Sequence, residues 1–165
     1  MSEILFPTAV IRDYLRNGEV AQGVIRAATD LQQLFSELLF FKKGIKFELI
    51  DRWGLGELTK WNIVFGHIAQ KNQALLDAFA QLRNLVFHRR TIMEKILKNK
   101  QHMQIVTDLT LSICELIDRT KIDYQSSEEI EIEYREYLKA IEEKYGNLLS
   151  KLYNNFSELE GKNEL

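Results

Sequence analysis

The chain has 165 residues, 22 Lys and Arg against 24 Asp and Glu, and 45% hydrophobic residues, a makeup that suits one globular domain able to bury a core. A single cysteine, Cys114, excludes an internal disulfide framework and a cysteine-based zinc site, and points to a reducing, cytoplasmic setting. No run of about 18 apolar residues is present to span a membrane, and Glu3, Arg12 and Asp13 interrupt any apolar secretory signal.

Helical periodicity starts early and there is no alternating segment of useful length, so the expected fold class is all-α. The expected architecture is an up-and-down helical bundle of about five helices over residues 1–120, with a long acidic C-terminal helix over 121–165. Steps of three and four from Val20 through Val24, Ala27, Leu31, Leu34 and Leu38 to Phe41 predict a helix over Glu19–Lys43. Lys42 and Lys43 suit its negative end, and Gly44 suits its C-cap. A short turn or helix at Phe47–Arg52 and a glycine-containing loop at Trp53–Gly56 lead to a helix over Leu58–Gln70. Asn72, a good N-cap residue, opens a helix that runs to Leu97 with Leu75, Phe79, Leu82, Val86 and Met93 facing inward. That stripe fails at Arg89 or Arg90, which predicts a kink, a break or a second contact surface near Arg89–Thr91. A further helix is expected over His102–Arg119, with Ile105, Leu109, Ser112, Ile113 and Leu116 on one side. The last, over Ser127–Glu158, has apolar steps averaging about 3.6, the period of a straight helix rather than of a coiled coil.

Charge is unevenly spread. Arg83–Lys100 holds six bases and one acid, a balance of +5, while Lys121–Leu165 holds six bases and eleven acids, a balance of −5. The basic stretch reads either as a polyanion-binding surface or as a solvated helix end favoured by the dipole. The acidic helix has three placements: against its own bundle, extending a dimer, or covering the basic cleft.

Within the basic stretch, Gln81-Leu82-Arg83-Asn84-Leu85-Val86-Phe87-His88-Arg89-Arg90 carries the chemistry. Adjacent helical residues point about 100° apart, so Leu85, Val86 and Phe87 cannot all face one core. At least one of them needs another cover, such as a second subunit. Asn84 and His88 share a face, whereas the Cβ atoms of Arg83 and His88 lie about 140° apart around the axis, a gap the long Arg side chain can partly close. A two-fold pair of such helices would gather two Arg and two His at one cleft. Histidine exchanges protons near neutrality, and arginine binds and stabilises a phosphoryl group. With an RNA 2′-OH as internal nucleophile, these groups suffice for cleavage without a metal.

Arg83, Asn84 and His88, in an R-N-x-x-x-H arrangement late in an all-helical domain, resemble the HEPN superfamily over roughly Glu19–Arg119. The resemblance implies a homodimer with facing motifs, and RNA cleavage of the toxin, defence or RNA-processing kind, with Arg83 and His88 catalytic and Asn84 supporting. It also implies contact with RNA or a nucleotide, and with a regulatory protein such as an antitoxin. Other members of the family are non-catalytic modules that bind nucleotides or proteins. One toxin branch has Tyr two residues after the His, where this chain has Arg90, so that branch is a poor match. Arg89, Arg90, Lys95 and Lys98 are the expected nucleic-acid contacts. No cofactor and no metal site is expected, because His67 and His102 lack ligand spacing; Asp77 and Gln81 are candidates to orient the motif's polar groups, which nothing in the spacing requires.

Overall fold

A computed structural model describes residues 8–123, together with Glu136, Lys139, Ala140, Glu143 and Gly146. The expected helix over Ser127–Glu158 otherwise lies outside the described residues; the five positions within it are helical. The chain divides into two units, Met1–Tyr124 and Gln125–Leu165, and the fold below is that of the first. Among the described residues it is an all-α bundle without strands. No helix among them is long and apolar enough to cross a membrane.

Helix α1 (Ala9–Arg16) packs on α2 (Val20–Lys43), the longest apolar element and the centre of the bundle. α2 buries Val24, Ala27, Leu31, Leu34, Phe35, Leu38 and Leu39, and touches α1, α3, α4, α5 and α7. Gly23 marks the crossing with α1: a Cβ there would stand 2.8 Å from Leu15 Cδ2. At its far end Gly44 adopts φ +66°, and the N–H groups of Gly44 and Ile45 donate to the carbonyls of Phe40 and Leu39. This glycine cap closes α2 where the sequence placed it.

A single turn, α3 (Phe47–Ile50), precedes α4 (Leu55–Val64). α4 starts and stops earlier than the periodicity indicated. Gly54 is its extended N-cap, so Leu55 and Gly56 are helical rather than loop. Its end is set by Asn62, fully buried, whose amide nitrogen donates to the carbonyls of Leu58 and Phe35. The Asn62 carbonyl accepts from the N–H groups of His67 and Ile68 while Gly66 takes φ +76°, and the chain turns back. A 3-10 turn (Gln70–Asn72) then leads into α5 (Gln73–His88), and Asn72 makes no side-chain cap bond.

The expected break falls at Arg89, whose φ of −135° and ψ of 56° separate α5 from α6 (Arg90–Lys98). Asn99 then caps α7 (Lys100–Asp123), its side-chain oxygen accepting from Gln101 and His102 N–H. That cap moves the helix start ahead of His102. The inward face of α7 also differs from expectation: Val106, Thr110, Ile113, Cys114 and Ile117 are buried, whereas Ile105 and Ser112 are exposed. Thr110 hides this face from an apolar count, because its hydroxyl satisfies itself on the Val106 carbonyl. Cys114 is a buried small hydrophobe as expected, and burial pushes its thiol up to about 11.

Candidate functional site

The motif occupies the last turn and a half of α5, where the helix carbonyls favour positive charge and the chain stops at Arg89. Val86 turns into the core, Leu85 packs half-buried against it, and Phe87 stands 46% exposed. Three adjacent apolar residues on a helix thus leave one without cover, as their spacing required.

Gln81, Asn84, Leu85, His88 and Arg89 line a shallow groove of about 550 Å³. Asn84 and His88 meet there because they lie one turn apart, and Gln81, a further turn back, joins them. Arg83 is not part of this lining. Its guanidinium donates to Asn84 Oδ1 at 3.2 Å and lies 4.9 Å over the Phe87 ring. Asn84 is therefore the hinge of the motif, bonded to Arg83 while lining the groove with His88. Within one chain the structure gathers Asn84, His88 and Arg89 and sets Arg83 on the flank beside the exposed aromatic.

The remaining basic residues spread out. Arg90 lines a separate recess of about 280 Å³ against α2, with Ala21, Gln22, Ile25, Val86 and Met93. Lys95 and Lys98 are exposed along α6, and neither lines the groove. Asp77 is exposed two turns before the motif's centre and does not line the groove either.

No family model, curated protein or solved structure matches the chain. The site therefore stands on its own geometry: an imidazole, an amide and a guanidinium in one open groove, with a second guanidinium on its edge. Among the described residues no three His, Cys, Asp or Glu side chains gather as a metal cluster.

One feature at the other end of the bundle was not legible beforehand. His67 is not a simple surface residue: its Nδ1 lies 2.9 Å from Asn62 Oδ1. Asn62 spends its amide hydrogens on two carbonyls, so its oxygen accepts and the His67 Nδ1–H donates. Burial first, then the charges of Lys42 and Lys43, hold the His67 pKa below its ordinary 6.5. Sequence spacing gave no sign of this, because the partners come from α2 and α4 and meet only through the fold.

Proposed function

We propose that the chain is a HEPN-like endoribonuclease whose site is completed by a second copy, with Arg83 of one protomer serving with His88 of its partner. The supporting observation is the divergence of the two residues on α5. His88 lines the groove with Asn84, while Arg83 leans on Phe87, an exposed aromatic beside the motif. A two-fold contact burying Phe87 would bring each Arg83 to the opposite groove and use the apolar surface left over.

The chemistry needs no group beyond these. His88 accepts the proton of the RNA 2′-OH as its oxygen attacks the adjacent phosphorus, and the 5′-oxygen leaves with a proton returned by an imidazolium. Charge builds on the non-bridging oxygens as the new P–O bond forms, and the guanidiniums of Arg83 and Arg89 stabilise it. Asn84 orients the substrate phosphate or the imidazole. The products carry a 2′,3′-cyclic phosphate and a 5′-hydroxyl.

Cleavage of RNA in EDTA by the purified chain tests this reading. His88→Ala should lower the rate about 100-fold or more, the usual weight of a general acid–base group, with circular dichroism unchanged. Cleavage by His88→Ala at the wild-type rate, or 3′-hydroxyl product ends, would overturn it.

A further inference from the structure

The end of the bundle away from the motif carries a second organised surface. Between Phe40 and Lys71 the sequence holds six Lys or Arg, three acids and six aromatic Phe or Trp residues. The fold sorts these into an array. Trp53 and Trp61 lie with ring centroids 6.0 Å apart and planes 22° from parallel; Trp61 and Phe65 follow at 5.7 Å and 25°. His67 extends the row, 6.0 Å from Phe65. Each of these rings is half-buried. Centroid separations within about 4.5–7 Å are those of offset-stacked rings, and each residue keeps part of its surface open to solvent.

Two cations edge the row. Lys43 Nζ sits 5.0 Å over the Phe65 ring, and Lys60 Nζ 5.7 Å over Trp61. Both lysines are exposed, and neither forms a salt bridge among the described residues. Beyond His67 the surface continues into a cleft of about 310 Å³ that also holds Lys71, Arg119 and the acid Glu115.

We propose that the Trp53–Trp61–Phe65–His67 row, with Lys43 and Lys60, is a stacking platform for single-stranded RNA. Bases stack on aromatic faces whatever their sequence, and cations spaced along the row meet the phosphates. The net positive charge of the segment fits a polyanion and disfavours a basic partner. The choice of RNA as the strand rests on the endoribonuclease reading; the platform itself does not. Gln22, which shares a recess with Arg90 beyond the motif, and Lys43, which reaches Phe65, mark the two ends of α2. About 30 Å of helix separates them, so the platform is a second contact that holds the strand away from the groove.

Trp53 and Trp61 are the chain's two tryptophans, so intrinsic fluorescence reads this surface directly. The probe is a uridine-rich RNA of about 12 nucleotides with 2′-O-methyl sugars, which removes the nucleophile and leaves binding to be measured alone. Added to the full chain, it should quench tryptophan emission saturably. The affinity should fall about tenfold between roughly 50 and 200 mM salt, as expected when two or three phosphates are neutralised. The double variant Lys43→Glu, Lys60→Glu and the single variant Phe65→Leu, each checked for folding by circular dichroism, should bind at least about fivefold more weakly. Ile105→Ala, at an exposed position that lines neither the groove nor the cleft, should quench as wild type does. Absence of quenching, binding that leaves tryptophan emission unchanged, or a lysine double variant that binds as tightly as wild type would each overturn the platform. Quenching without cleavage of unmodified RNA would sink the catalytic reading and leave the platform standing; cleavage without quenching would do the reverse.

Discussion

At the residue scale, two polar contacts tie separate helices together within the bundle. Asp118, on α7, is buried, and its Oδ2 accepts from the Thr8 hydroxyl at 2.8 Å and from Arg12 at 3.2 Å. Its Oδ1 has no partner among the described residues, so every donor that reaches this carboxylate matters. Thr8→Val keeps the side-chain shape and deletes one donor. Urea denaturation should show a loss of about 1–3 kcal/mol, the cost of leaving a buried acceptor short of its partner, and an unchanged midpoint would mean that the contact carries no stability. Near the C-terminal part of α7, whose Arg119 shares a cleft with it, His67 is held neutral by burial and by Lys42 and Lys43. With its pKa depressed on folding, the unfolded chain binds the proton more readily. This contribution to stability is therefore complete above about pH 6.5 and is lost as pH falls below it. The melting temperature should drop between neutral and mildly acidic pH, and His67→Gln should make that drop shallower. An equal drop in both proteins would assign it to other groups.

At the element scale, the face of α7 separates two readings of the same helix. Ile113 is fully buried and Ile105 is 63% exposed. Ile113→Ala should cost about 2–5 kcal/mol in denaturant, while Ile105→Ala should cost well under 1 kcal/mol; the reverse order would contradict the register. The face was misread from sequence because its true stripe passes through Thr110 and Asp118, polar residues satisfied in ways composition does not reveal. Where the determinant is local, the sequence was enough: Gly44 ends α2, and the failure of the apolar stripe at Arg89 marks the α5–α6 break. Where it is tertiary, it was not. Helix α1 spans only eight residues, too short a stretch for periodicity to single out, and is held by Gly23 and the Thr8–Arg12–Asp118 contact. Helix α4 ends through Asn62, whose partners lie 27 residues away in the case of Phe35. The candidate site was legible as a list of residues, and the exposed Phe87 followed from the 100° step. The aromatic row was not, because Trp53 joins Trp61 and Phe65 only after the chain turns through Gly54.

At the scale of the whole molecule, a formal charge of −2 conceals a basic stretch of +5 around the motif and a further basic segment bearing the aromatic row. The two lie at opposite ends of α2, so a strand engaged at both would run along the bundle rather than across it. The proposed pairing of Arg83 with the partner's His88 across a two-fold axis follows from Arg83 lying on the flank of the groove that His88 lines. Mixing the Arg83→Ala and His88→Ala chains after mild dissociation tests it directly. Each hybrid dimer then holds one site with an intact Arg83 from one chain and an intact His88 from the other. With half the dimers hybrid and one of two sites restored in each, cleavage should return to about a quarter of the wild-type rate, from two variants that are each inactive alone. If the wild-type chain cuts RNA and the mixture stays as inactive as its components, the site lies within one chain and the composite arrangement is wrong.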